Sequence, residues 1–172
     1  MSENDDLLLQ VKNLHTYFRT RAGTVKAVND VSYDLYRGKT LGIVGESGSG
    51  KSVSAMSILR LLDANGYIAS GEILFRGKDL VTLPMREMYS IRGNRISVIF
   101  QEPMTSLNPV MTVGKQVLEM VLLHRNISRK DAKEKVLHMF EDVGIPEPEK
   151  RYNCYPHELS GGLRQRVMSA MA

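Results

Sequence analysis

The run Gly45-Glu46-Ser47-Gly48-Ser49-Gly50-Lys51-Ser52 constrains this chain more than any other stretch, because it satisfies G-x-x-x-x-G-K-[ST] at each fixed position. Thr40-Leu41-Gly42-Ile43-Val44 before it is a short apolar run of the kind that forms a buried parallel strand, and the apolar-rich stretch after it has helical spacing. Strand, glycine-rich loop and helix in that order predict a phosphate cradle. Gly45, Gly48 and Gly50 permit a sharp turn that brings successive backbone N–H groups near phosphate oxygens, and a helix starting near Gly50 points its positive dipole end at them. Lys51 is expected to reach the β- and γ-phosphates. Ser52 is expected to offer its hydroxyl to Mg²⁺, a hard ion that takes oxygen ligands and keeps part of its water.

The 172 residues are enough for a domain with a real core, and 42% hydrophobic with 24% charged residues excludes a disordered or fibrous chain. No apolar run approaches the roughly 18 residues that span a bilayer. Met1-Ser2-Glu3-Asn4-Asp5-Asp6 is acidic where a signal peptide is basic, so a cytosolic protein is expected. The single cysteine, Cys154, excludes an internal disulfide and fits a plain thiol in a reducing compartment. A net charge of +4 spread over scattered basic residues gives no nucleic-acid patch, and Arg92 and Arg95 around Gly93-Asn94 read as a solvated turn.

Along the chain, Leu7–Lys12 reads as a first strand, followed by His15-Thr16-Tyr17-Phe18 and a polar turn over 19–23. Two readings fit Tyr17 and Phe18: one ring stacks on a purine, or both pack at a strand end. Val31, Tyr33 and Leu35 alternate with polar neighbours, which adds antiparallel sheet beside the cradle. After Ser52, the residues Ala55, Ile58, Leu59 and Leu62 predict a buried helical face, with Gly66 as its left-handed cap. Ile73-Leu74-Phe75, bounded by Gly71, and Ile96–Phe100 read as strands, 85–95 as a short surface helix, and Gln101–Pro109 as a loop. From Thr112 the pattern turns helical. Val113, Val117, Met120, Val121 and His124 share one face, and Ser128 caps a second helix with the stripe Ala132, Val136, Met139, Phe140 and Val143, closed by Gly144.

The last informative stretch is Leu159-Ser160-Gly161-Gly162-Leu163-Arg164-Gln165-Arg166. Ser160 reads as an N-cap, with Gly161-Gly162 exposing the first N–H groups of a helix, which is either a routine capped start or a second anion site. His157 in Tyr155-Pro156-His157-Glu158 reads as structural, positioning this loop, rather than as a general base.

The P-loop, Gln101 after an apolar run, a helical insertion and LSGG-x-x-Q-R in this order resemble the nucleotide-binding domains of ABC transporters. The runs Gly45–Ser52, Gln101–Pro109 and Tyr155–Gly162 look like the ATPase subunits of bacterial oligopeptide and dipeptide importers. The resemblance implies an α/β fold: a P-loop NTPase core with an N-terminal antiparallel β subdomain over residues 1–111, and an inserted α-helical subdomain with the signature motif over 112–172. It implies ATP and Mg²⁺ as ligands, Gln101 in a loop that senses Mg²⁺ and the γ-phosphate, and an aromatic, Phe18 rather than Tyr17, on adenine. Leu159, Ser160, Gly161, Gly162 and Gln165 would form the signature that meets ATP held on a partner's P-loop. The implied partners are a second ATPase subunit, identical or paralogous, two transmembrane permease subunits and, indirectly, a peptide-binding protein, at the cytoplasmic face of the membrane and with no nucleic acid.

That family continues its signature helix into an apolar strand ending in Asp-Glu and then a switch histidine. This sequence stops at Ala172 inside an uncapped helix. The expectation is therefore a fragment cut off before that strand, with no catalytic carboxylate of its own, weak or absent hydrolysis and marginal stability. Two other readings stand beside the peptide importer: a non-catalytic nucleotide-binding fragment, and an ABC ATPase serving nickel or another solute.

Overall fold

The computed structural model describes residues 6–100 and 106–172. Two compact units divide the chain, Met1–Tyr89 and Ser90–Ala172.

The first unit is built on an antiparallel sheet of order β2-β1-β3-β4. β1 (Leu7–Thr20) and β2 (Gly23–Tyr36) form a long hairpin closed at the pair Thr20 and Gly23. β3 (Gly66–Phe75) pairs with the other edge of β1, and the two-residue β4 (Lys78–Asp79) follows it. The period-2 pattern turns Leu9, Val11, Leu14, Ile73 and Phe75 inward, where they are buried with Val28, Leu59, Leu80 and Met88. β1 continues through residues 15–18 because it is paired on both edges, so Tyr17 and Phe18 stand within a strand. Sheet irregularities fall at Asn13 and Asp30, both at positive φ, and the Asn13 Nδ2 group donates to Asp30 Oδ1 at 2.8 Å. Gly71 lies inside β3 rather than bounding a short strand. A Cβ there would fall 2.5–2.7 Å from backbone atoms of Lys12, Asn13 and Leu14, so only glycine lets the two strands approach.

α1 (Lys51–Ile58) lies on this sheet. Its buried residues are Ser54 and Ser57, while Ala55, expected in the core, is exposed. The sequence reading followed hydrophobicity, whereas the helix is fastened by hydroxyls: Thr16 Oγ1 lies 2.8 Å from Ser57 Oγ and Tyr33 Oη lies 3.0 Å from Ser54 Oγ. The helix also stops earlier than expected. Arg60 takes the left-handed conformation at φ 52, its guanidinium donates to Leu83 O at 2.6 Å, and Gly66 begins β3 instead of capping.

The strands expected at Thr40–Val44 and Ile96–Phe100 are not formed. Residues 39–46 take no regular secondary structure, and 96–100 carry one isolated bridge between Arg92 and Ile96. A parallel strand exists through backbone pairing on its edges, and among the described residues no strand pairs with these runs. Their apolar side chains are consequently outside: Val44 is 92% exposed, with Leu41, Ile43, Ile99 and Phe100 also exposed.

α2 (Met85–Ile91) carries the division between the units. The second unit is helical: α3 (Val113–His124), α4 (Arg129–Asp142), α5 (Pro148–Tyr152), a 3₁₀ turn Pro156–Glu158 and α6 (Gly161–Met171). Its core joins Val113, Val117 and Val121 of α3 to Ala132, Val136 and Phe140 of α4 and to Val167 and Met168 of α6. Ser128 caps α4 by accepting from Asp131 N at 3.1 Å, and Gly144 follows its end at φ 72. The buried Gln116 amide holds the preceding loop by accepting from Asn108 N at 2.9 Å and donating to Asn108 O and Met111 O at 3.0 Å each.

Burial raises the Tyr33 phenol above its ordinary value of 10.0, while the Ser54 hydrogen bond pulls the other way. Between the ordinary and the raised value the folded chain holds a proton that the unfolded chain has lost. The Tyr33 contribution to stability is therefore full below about pH 10 and is lost as the pH rises through the folded value. Denaturant unfolding at pH 9 and pH 11 is expected to give a shallower alkaline decline for Tyr33→Phe than for the parent. Tyr152, also raised by burial, leaves a residual slope in both. Identical declines would contradict this origin.

Candidate functional site

The cradle is an exposed loop that turns at 47–48 and enters α1. Gly48 has φ 80, and Gly50, the N-cap of α1, has φ 87 and ψ 2. A Cβ on residue 50 would lie 2.2 Å from Ala27 O, so the helix start is seated directly on the backbone of β2. Lys51 folds back over the loop: its ammonium donates to Gly45 O at 2.8 Å, Glu46 O at 2.6 Å and Ser49 Oγ at 3.2 Å. Ser49 N donates to Glu46 O at 3.2 Å, closing the turn that Gly45, Glu46, Ser47, Gly48 and Ser49 make around the ammonium. The first turn of α1 holds no acidic residue, which leaves the positive end of the helix beside the Lys51 charge. This arrangement suits a polyanion with several oxygens.

Ser52 is exposed in the same turn and presents a hard oxygen. Among the described residues no group of three or more His, Cys, Asp or Glu could hold a metal. A hydroxyl beside a phosphate site fits Mg²⁺, which is bound through few protein oxygens together with phosphate and water. Gln101 lies outside the described residues.

Tyr17 and Phe18 are both half-buried and separate onto different surroundings. The Tyr17 ring stands edge-on to Tyr67 at 6.2 Å, with Lys26 Nζ 5.7 Å from its centroid and its hydroxyl donating to Asn29 Oδ1 at 3.3 Å. The Phe18 ring lies over Gly66, where a Cβ would fall 2.7 Å from Phe18 Cε1.

In the second unit Leu159 is buried and anchors the start of α6, while Ser160, Gly161, Gly162 and Gln165 are exposed. The Ser160 hydroxyl accepts from Leu163 N at 3.3 Å. A Cβ on Gly161 or Gly162 would meet nothing within 4 Å, and neither residue has positive φ. Nothing among the described residues requires these two glycines. The Arg166 guanidinium donates to Val143 O and Gly144 O, the free carbonyls at the end of α4, a role that sequence reading missed although a cation after a glycine-closed helix is the residue that could fill it. His157 is exposed and stacks on Tyr155 at 5.7 Å, and Glu158 Oε2 accepts from Tyr155 N at 2.6 Å, so the residues before the signature are held by local contacts.

A glycine-seated cradle with a lysine over it, on an α/β unit, defines a nucleotide-binding domain of the P-loop class. The family model described as "ABC transporter" matches residues 28–172, and the chain belongs to that family. It is 54% identical over 166 residues to the oligopeptide transport ATP-binding protein OppD of Bacillus subtilis, covering 96% of this chain and 46% of that protein. It is 52% identical to OppD of Escherichia coli over 97% of this chain and 49% of that protein. With the dipeptide transport ATP-binding protein DppD of Bacillus subtilis the identity is 53% over 96% of this chain and 50% of that protein. The chain thus spans about half the length of the curated relatives it matches. Among solved structures it resembles MJ0796, a bacterial ABC transporter cassette seen as a dimer, with a TM-score of 0.82 and 25% identity over 95% of this chain and 68% of that one. The same cassette has been seen in a post-hydrolysis state bound to ADP and Pi. The α/β fold is accordingly that of an ABC ATPase cassette. Among the described residues no helix is long and apolar enough to cross a membrane.

Gly50→Ala is expected to lower unfolding stability by at least about 2 kcal/mol, the scale of a residue forced at a positive-φ close contact, and to weaken Mg²⁺·tripolyphosphate binding in parallel. Denaturant unfolding and calorimetric titration of that polyanion measure the two effects. Parent-like values in both would mean that the seat of α1 on β2 is dispensable.

Proposed function

We propose that this chain is the ATP-binding part of an energy-coupling subunit of an ABC importer for oligopeptides or dipeptides. The observation that carries the reading is the Lys51 ammonium held over Gly45, Glu46 and Ser49 at a helix start free of acidic residues. Gly45, Glu46, Ser47, Gly48, Ser49 and Gly50 wrap the phosphates with backbone N–H groups, and Lys51 exchanges its carbonyl partners for phosphate oxygens. Ser52 holds Mg²⁺, with Gln101 as its second protein contact. When bound, Mg²⁺ supplies charge neutralisation on the phosphate oxygens. Phe18, or else Tyr17, stacks on adenine.

Ser160, Gly161, Gly162 and Gln165 address the γ-phosphate of ATP on a second ATPase subunit, identical or paralogous. The two bare glycines favour this role, since their missing side chains serve no internal packing. ATP binding then draws two subunits together and hydrolysis in the whole protein releases them. The further partners are two transmembrane permease subunits and, through them, a peptide-binding protein, with the ATPase peripheral at the cytoplasmic face of the membrane. The peptide class rests on relatives at 52–54% identity that are named for oligopeptide or dipeptide transport.

Titration of the chain with a fluorescent ATP analogue in Mg²⁺ is expected to saturate, and Lys51→Ala to weaken binding at least about tenfold, the loss of one charge-assisted phosphate contact. Equal affinity in the two would remove the cradle from the account. In the full-length protein, with hydrolysis blocked, ATP is expected to drive self-association or pairing with the companion ATPase, measured by analytical ultracentrifugation. Ser160→Arg should abolish it while leaving nucleotide binding intact; ATP-dependent association that survives this change would exclude the signature from the interface.

A further inference from the structure

Two hydroxyl contacts in the first unit serve no step of the proposed function. Thr16 and Ser57 are fully buried, with oxygens 2.8 Å apart, and Ser54 is buried with its oxygen 3.0 Å from Tyr33 Oη. The donor assignment follows from valence. Ser57 Oγ donates its one hydrogen to Val53 O at 2.7 Å, so Thr16 donates to Ser57, forming a directed relay from β1 through the α1 side chain into the α1 backbone. An apolar pair of the same shape would fill this space at little or no loss of stability. A hydroxyl pair adds direction, because it fixes both the rotation of α1 about its axis and its position along β1.

Both quantities matter at the two ends of a nucleotide site. Ser54 and Ser57 follow Lys51 by three and six residues in α1, so holding them sets where along β1 the cradle at the helix start lies. Thr16 immediately precedes Tyr17 and Phe18 in β1, and its cross-strand partner Val28 adjoins Ala27, the residue on which Gly50 is seated. One rung of the sheet therefore meets the start of the phosphate-binding helix and the strand that carries the aromatic pair.

We propose that Thr16 and Ser57, with Tyr33 and Ser54 as a second fastening, are positioning residues that set the spacing between the adenine-stacking ring and the triphosphate cradle. This rests on the reading of Gly45–Ser52 as an ATP site and holds whichever of Tyr17 and Phe18 stacks. A misplaced cradle still binds triphosphate, and a misplaced ring still meets solvent; only a ligand that engages both at once detects the altered spacing.

The test compares Mg²⁺·ATP with Mg²⁺·tripolyphosphate by calorimetry on the full chain. Thr16→Val/Ser57→Ala, which removes both partners and orphans neither, is expected to bind tripolyphosphate within about twofold of the parent and ATP about tenfold more weakly, the scale of a lost base–aromatic stack. An unchanged ATP-to-tripolyphosphate ratio in this folded variant overturns the proposal. If the double variant does not fold, Thr16→Ser and Thr16→Ala carry the test: the serine keeps the hydroxyl and the ratio, the alanine loses the ratio, and equal ratios in the two overturn it. A general loss of stability weakens both ligands together, which also counts against it. Failure of the underlying reading looks different: the parent chain would bind neither ligand, or Lys51→Ala would bind both as the parent does.

Discussion

The close approach of Gly50 to the carbonyl of Ala27 is the contact on which the first unit turns. A helix N-terminus binds anions only if its free N–H groups are held in one direction, and a short helix of eight residues has little cooperative stability of its own. Here direction comes from outside the helix. The backbone of β2 supports its N-cap, Leu59 is buried just past its end, and Tyr33 and Thr16 set its place on the sheet through the hydroxyls of Ser54 and Ser57. The hairpin of β1 and β2 is thus the rigid body from which the cradle is hung, and the glycine at 50 is required by the approach distance as much as by its φ of 87.

The helical unit solves a related problem with other means. Its loops are held by side chains that bond to backbone: Gln116 to residues 108 and 111, Glu158 to Tyr155 N, Arg166 to the last carbonyls of α4. Each satisfies backbone groups that a chain turn would otherwise leave unpaired. Arg166 sits one turn beyond Gly162, so the helix that presents the signature is tied to the far end of α4. That fastening, with Leu159 buried at the other side of Ser160, allows the exposed residues between them to remain bare without the helix start fraying.

Features whose cause is local were legible in the sequence. The cradle spacing, the Ser128 and Ser160 caps, the Gly144 closure and the buried stripes of α3 and α4 each follow from residues within a turn or two of each other. Features whose cause is distant were not. Thr40–Val44 has the composition of a buried strand, but a strand is made by its neighbours, and among the described residues it has none. Gly71 reads locally as a strand boundary, whereas its role is set by Lys12, Asn13 and Leu14, some sixty residues away along the chain. Gly66 lost the expected cap because Arg60, fastened to Leu83 O, ended the helix first. Ser54 and Ser57 escaped notice because hydrophobic periodicity is blind to a helix face buried through hydroxyl groups.

The two helix starts differ in a way that orders their roles. A helix end carries roughly half an elementary charge, which salt screens and which by itself holds an anion weakly. At α1 that partial charge is joined by the full charge of Lys51 and by a loop wrapped around it, an arrangement that suits a polyanion. At α6 the exposed face offers Ser160, two glycines and Gln165, with Arg166 already committed to α4. Such a surface adds little until a phosphate is brought to it already held elsewhere, and then close backbone approach is what it provides. On the proposed reading α1 is therefore the holder and α6 the detector, and the missing side chains at Gly161 and Gly162 are the feature that makes detection depend on a correctly seated nucleotide rather than on any passing anion.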